Sequence, residues 1–403
     1  MSVPSAGPSR KAVRWIPAVA VPIAIAVGVV VVPMQANAAV DLPDLTPKQL
    51  LEFAAASDVT TLSGTIEQTS ELGLPDLSAL KGDLAAPSTG GAGSAGAGLD
   101  DLLSLITTDH TAKVYVDGSN ARLQVLDRLA ERDVYASASG AWIYDSSAQA
   151  ATHVVLPPDA DLDALATAMQ GEADAAKARL EAELGAALPT PEAMLDQALA
   201  RLGDSTDVSV GTDSRVAGRD AYELVLEPGD PDTLVGEVSI AIDGENGVPL
   251  AASVTARGAS EPAFSVAFTD IGYTAPDASV FAFTPPEGTD VTEQVIPVPT
   301  VAELEQWQAE GATGAATDHP APPVTVHGEG WSAVVELEPA AAQGAPTGGA
   351  GAEASAMLDA ITQPVAGGRL LSTSLVNVLF TDDGRVFAGA VSADRLAAAA
   401  SER

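Results

Sequence analysis

Apolar residues recur at every second position over most of this chain, and only short stretches show the three-to-four spacing of a helix. "HTAKVYVDG", "NARLQVLD", "RDVYASAS", "GAWIYDS" and "ATHVVLP", from His110 to Leu156, alternate and are short, with Asp117-Gly118 as a turn. A second alternating series follows. "DVSVGTDSRVAGRDAYELVLEP" reads as a hairpin turning at Ala217-Gly218, and "TLVGEVSIAID", "GVPLAASVTARG" and "EPAFSVAFTDIGY" come after it. "TLSGTIEQTSELGLP" reads as a strand ahead of both series. Helical signals are few. Thr46, Pro47 and Gln49 form a capping box before "LLEFAAA", Thr300 and Glu303 repeat it before "VAELEQWQ", and Thr190-Pro191 opens "EAMLDQALARLG". "LDDLLSLIT", the alanine-rich segment within 157–189 and Ser355–Ile361 are further helical stretches. The pattern predicts an α+β fold, a long antiparallel sheet with a few helices laid on one face.

"SVFAFTPPEGTDV", residues 279–291, is expected to end the second series. Its phenylalanines alternate, but Pro285 and Pro286 have no amide hydrogen to give a ladder. Beyond it, Pro/Gly/Ala-rich stretches at 311–323 and 339–351 flank one expected strand, "VTVHGEGWSAVVELE". "RLLSTSLVNVLFTDDGRVFAGAV" reads as a hairpin turning at Asp383-Gly384. A lone hairpin is marginal in water, so it must dock on the main sheet or on a partner. The expected organisation is 1–38 as an address, 39–291 as the main domain with a Gly/Ala loop at 82–98 and a helical insertion at 157–189, 292–351 as helix, linkers and one strand, and 352–403 as a helix with a hairpin.

Within the address, "SRKAVRW" is basic, Ile16–Met34 is apolar, and Ala36 and Ala38 are the small residues of a cleavage site. The apolar run also reaches the length that spans a bilayer. Cleavage after Ala38 and an uncleaved anchor are both open, and either places the rest outside the cytoplasmic membrane.

Composition narrows the chemistry. The 403 residues are 46% hydrophobic with a net charge of −36, and the first 38 contain no acidic residue, so the rest is more acidic still. Such a polyanion repels nucleic acid and anionic membrane surfaces. There is no cysteine, which removes disulfides, thiol catalysis, thiolate metal sites and a lipidated cysteine. His110, His153, His319 and His327 lie in separate segments without ligand spacing. Gly91-x-Gly93-x-x-Gly96 matches a dinucleotide fingerprint but sits in a low-complexity run without a strand–helix unit around it. Asp159-x-Asp161-x-Asp163 departs from a calcium loop at Ala164 and Gln170. No catalytic constellation, metal site or cofactor is expected. What remains is apolar surface: Leu123 and Val125; Tyr222, Leu224 and Leu226; Val238, Ile240 and Ile242; Phe264, Val266 and Phe268. These residues either form core beneath helices or line an apolar cavity.

Asp270-Ile271-Gly272-Tyr273, followed by Phe281, Phe283, Pro285, Pro286 and Gly288, resembles the closing motif of the LolA-like lipoprotein-carrier superfamily, and "VAGRDAYELVLEP" resembles its G-x-x-x-Y-x-L strand. The order of elements over Thr46–Val291 is similar to that family too, and a tail like "LLSTSLVNVLFTDDGRVFAGAV" is similar to sorting proteins of high-GC Gram-positive bacteria. The resemblance implies a half-open antiparallel barrel with helices over its concave face. It also implies non-catalytic carriage of acylated lipid or lipoprotein on the apolar face just named. RseB-like regulators share the fold, which keeps a membrane-protein partner such as an anti-sigma factor open as an alternative.

Overall fold

The computed structural model describes residues 42–73, 108–126, 130–157, 202–296, 300–303, 324–337 and 361–402, with isolated positions between 164 and 199. Ala36 and Ala38, the Gly91–Gly96 motif, "LDDLLSLIT", Asp159–Asp163 and nearly all of the 157–189 insertion lie outside the described residues.

Two antiparallel meanders share one thirteen-stranded sheet. The first comprises β1 (Thr61–Ser70), β2 (His110–Asp117), β3 (Asn120–Leu126), β4 (Glu131–Ser137), β5 (Gly140–Asp145) and β6 (Ala150–Val155). The second comprises β7 (Thr206–Val210), β8 (Ser214–Val216), β9 (Arg219–Pro228), β10 (Val235–Asp243), β11 (Pro249–Ala256) and β12 (Pro262–Gly272). Pairing of β1 with β12 joins the two halves, and β13 (Asp290–Val295) adds to β6. The order is β13-β6-β5-β4-β3-β2-β1-β12-β11-β10-β9-β7, with β8 on β9, and the ends do not pair with each other. The barrel is therefore open. Turn chemistry sets the registers: Ala217 and Gly218 both have positive φ, the geometry of a tight hairpin whose twist matches its strands.

Helix α1 (Pro47–Ala55) starts where the capping box predicts. Gln49 N donates to Thr46 Oγ1 at 3.3 Å, and Thr46 N donates to Gln49 Oε1 at 2.9 Å. Its Leu50 is fully buried against Tyr222, Leu224 and Leu226, and Phe53 meets the Tyr222 ring edge-on at 6.3 Å. This fixes which sheet face is covered.

Three segments depart from the alternating pattern. First, residues 279–291 do not extend the last strand. β12 ends at Gly272, Asp277 caps a 3-10 turn over Ala278–Phe281 by accepting from Ser279 N at 2.9 Å, and pairing resumes beyond the prolines as β13. The aspartate cap favours a turn, and Phe283 gains more from aromatic neighbours than from a ladder. Second, "VTVHGEGWSAVVELE" is two strands, β14 (Val324–His327) and β15 (Val334–Leu337), because Gly328 and Gly330 take positive φ and turn the chain between them. Third, the tail is more than a hairpin. β16 (Gln363–Val365), β17 (Gly368–Ser372), β18 (Asn377–Thr381) and β19 (Val386–Gly389) join β14 and β15 in a six-stranded sheet, ordered β14-β15-β19-β18-β17-β16. Helix α2 (Ala393–Ser401), whose alanine-rich pattern gave no expectation, closes this sheet with Leu396 and Ala399 fully buried beside Phe387.

The second sheet docks on the first. Leu234 N donates to Ala390 O at 2.7 Å, Ser374 N to Leu72 O at 2.9 Å, and Trp331 Nε1 to Thr206 Oγ1 at 2.8 Å. Leu375 enters the apolar cluster under α1. Arg257 organises the docking loop, donating to the carbonyls of Thr233, Pro228, Asp230 and Val235.

Gly64 and the motif residue Tyr273 acquire structural work. Gly64 on β1 lies beneath the Phe268 ring, and a Cβ there would sit 2.7 Å from a ring carbon and 2.5 Å from Asp270 O. A bulge opposite Thr65 and Ile66 lets Phe268 lean across. Tyr273 donates to Asp243 Oδ2 at 2.8 Å and carries Arg219 over its ring, while Arg219 also pairs with Asp243. Burial pushes the Tyr273 phenol up to about 12, so it stays a donor. Burial pushes Asp243 upward, but Arg219, the Glu245 amide and Tyr273 outweigh it and hold the carboxyl below its usual range.

Two outcomes follow. Gly64→Ala should lower unfolding stability by about 1–3 kcal/mol in a urea titration, because the new methyl overlaps a ring and a backbone oxygen. Asp243 has a depressed folded pKa. Its contribution is present above the unfolded value of about 3.9 and disappears as pH falls through the lower folded value. Asp243→Asn should therefore cost about 2 kcal/mol at pH 7 and flatten the acid limb of a stability–pH curve, and an unchanged acid limb would contradict the assignment.

Candidate functional site

Cross-strand registers place all eleven apolar positions singled out in the sequence on one face, the face that α1 covers. Leu224 pairs with Ile240, Leu226 with Val238 and Tyr222 with Ile242. Ile240 pairs with Ala252, which pairs with Val266. Val238 pairs with Val254, which pairs with Phe264. Phe268 pairs with Ile66 of β1, which leads through Ala112 of β2 to Val125 of β3. The next row runs Ile271, Gly64, Val114, Leu123, Val134 and Ile143 across six strands. A third runs Leu62, Val116, Ala121, Ala136, Ala141 and Val154.

Burial divides this face. Tyr222, Leu224, Leu226, Val238 and Ile242 lie under α1, Leu42, Leu45 and the docked Leu375, and are buried. Ile240 and Phe264 pack half-buried at the margin of the same cluster. Val266 and Phe268 are buried at the centre, and Val125 is buried on β3. Past β2 and Val125 the cover by described residues thins. Leu123 is 40% exposed, Val134 39% and Ile143 48%, three adjacent apolar side chains in one row on consecutive strands. Covering such side chains offers about 1 kcal/mol apiece. Sequence reading missed Val134 and Ile143, because both lie in strands apolar on both faces: Tyr135 follows Val134, and Trp142 and Tyr144 flank Ile143.

The opposite face of β3–β5 explains that double pattern. Phe283 reaches Tyr135 at 4.9 Å, Trp142 at 5.3 Å and Tyr144 at 5.4 Å between ring centres. His153 stacks on Trp142 at 4.0 Å, and Arg122 lies over Tyr135 while bonding Asp133 at 3.1 Å. Burial pushes the Asp133 carboxyl up, and Arg122 pulls the other way without cancelling it. Among the described residues Phe283 covers this face, while Leu123, Val134 and Ile143 stay exposed on the other.

A cleft of about 520 Å³ lies elsewhere, between the start of α1 and β7, lined by Thr46, Lys48, Asp204, Ser205 and Asp207 among others. Pro47, Leu199 and Val208 also line it, so its walls mix polar and apolar groups, and none of the eleven apolar positions reaches it. Among the described residues no cluster of three or more His, Asp or Glu could hold a metal, and no helix is long and apolar enough to cross a membrane.

No protein-family model and no curated protein matches the chain. In solved structures the chain is similar to a complex of MucA and MucB from Pseudomonas aeruginosa, with 15% identity, 87% of this chain and 96% of that one covered, and a TM-score of 0.38. It is similar to a LolA superfamily protein from Nitrosomonas europaea, with 11% identity, 60% and 99% coverage and a TM-score of 0.20. It is also similar to an uncharacterised conserved protein of Thermus thermophilus, with 10% identity, 61% and 98% coverage and a TM-score of 0.31. At these identities and TM-scores, what the chain does has to be read from its own residues.

Proposed function

We propose that this chain is an exported, non-catalytic carrier that holds the acyl chains of a lipid or lipoprotein against the uncovered half of its apolar sheet face. The observation that carries the reading is the exposed row Leu123, Val134 and Ile143, continuous through Val114 with the buried centre of the same face. Contiguous exposed aliphatic side chains mark a binding surface. The ligand class follows from the lining: branched aliphatic groups form the row, the aromatic groups of β4 and β5 are turned to the other face, and Arg132 and Asp145 pair across the strands at the row's edge. The resemblance of Asp270-Ile271-Gly272-Tyr273 and of Phe281, Phe283, Pro285, Pro286 and Gly288 to the closing motif of lipoprotein carriers supports the same reading. The chain's acidity, −36 overall, disfavours anionic membrane surfaces and suits a carrier that takes up one ligand and leaves.

The test is mass spectrometry of the purified chain under native and denaturing conditions, with and without an added fluorescent fatty acid. A stoichiometric acyl ligand is expected, and Leu123→Asp combined with Ile143→Asp should lower occupancy about tenfold without moving the unfolding midpoint, since both sites are exposed. Val238→Asp should instead unfold the protein, because Val238 is only 2% exposed. No acyl ligand, or binding untouched by the double substitution, would overturn the proposal.

A further inference from the structure

Residues 277–296 form a strap that crosses the aromatic face of β3–β5 and ends as β13 on the edge of β6. Its two attachments differ in kind. Phe283 is plugged between Tyr135, Trp142 and Tyr144, and Tyr135 and Tyr144 are 8% and 9% exposed beneath it. β13 is held almost wholly by its main chain. Asp290 N donates to Gln149 O at 2.8 Å and Ile296 N to Val155 O at 3.0 Å, while all six of its side chains are exposed. Glu293 adds one contact, 3.6 Å from His153.

β13 is also the one parallel strand in a sheet otherwise paired antiparallel among the described residues, and parallel pairing is slightly weaker per residue. The strap carries Asp277, Glu287, Asp290 and Glu293 and no basic residue, on a chain of net charge −36. It therefore adds acidic residues to an acidic chain and sits on its site without side-chain burial along β13 and in the weaker strand orientation.

We infer that the β6 edge together with the Tyr135–Trp142–Tyr144 socket is an acceptor site for an extended polypeptide segment, and that the strap occupies it as an internal, displaceable stand-in. The fitting partner has an aromatic side chain for the socket and a strand-forming stretch after it. It is neutral or basic, as a chain of net charge −36 favours. Strand addition supplies the main-chain bonds, and the socket supplies selection. The site is on the face opposite the aliphatic row, so it stands or falls independently of lipid carriage.

The chain contains no cysteine, which allows a clean lock. Thr152 and Thr292 are direct register partners, so Thr152→Cys with Thr292→Cys in the full chain can tie β13 to β6 when oxidised. The probe is a fluorescein-labelled synthetic peptide with the sequence of residues 277–296, lysine replacing Glu287, Asp290 and Glu293, set against a scrambled peptide of equal charge. Saturable binding about tenfold tighter to the reduced than to the oxidised chain is expected. It should be stronger again in a chain carrying Phe283→Ala, and lost when the peptide's own phenylalanine at the socket position becomes alanine. Amides of β13 should exchange with deuterium about a hundredfold faster than those of β12 in the unaltered chain, a readout that needs no variant to fold. Equal binding to locked and unlocked chains, binding no better than that of the scrambled peptide, or β13 amides as protected as those of β12 would overturn the inference.

Discussion

One constraint organises this protein: a sheet of thirteen strands presents a single apolar face that the described elements cover only in part. Helix α1 is only nine residues long. It and the segment before it bury β9 and β10, and Leu375, Trp331 and Ala390 of the second sheet extend the cover. At the centre the face covers itself, the Phe268 ring lying over Gly64. Beyond β2, Leu123, Val134 and Ile143 stay exposed. An exposed face of this kind is a cost to the folded chain unless something binds it, and the functional reading rests on that imbalance.

The other face is solved differently. There the aromatic residues of β4 and β5 are closed by the chain's own strap, and the buried Asp133 is paired with Arg122. The two faces of the same strands thus have opposite characters, aliphatic and open against aromatic and closed. The second sheet is not an independent appendage. Arg257 fixes the loop whose Leu234 amide meets Ala390, so the covered half of the apolar face depends on the tail being docked.

Most strands were legible because alternation and turn residues agree. Asp117-Gly118, Ala217-Gly218 and Asp383-Gly384 all mark turns, and Thr46 with Gln49 sets the start of α1. The eleven apolar site positions share a face because alternation also fixes which side a residue takes. Exposure was not legible. Leu224 and Leu123 look alike in the sequence, and what separates them is a helix and a second sheet packed from afar. Val134 and Ile143 were hidden by aromatic neighbours whose partner, Phe283, arrives from far along the chain. The same alternation misled at Phe281 and Phe283, where a capping aspartate and a socket outweigh strand propensity.

The most direct test of a divided face is hydroxyl-radical footprinting of the free chain and of the chain loaded with an acyl lipid. The account predicts that Leu123, Val134 and Ile143 are oxidised rapidly in the free chain and protected on loading, while Leu224 and Val238 react slowly in both. Equal protection of both halves in the free chain, or no change at Leu123, Val134 and Ile143 on loading, would contradict it.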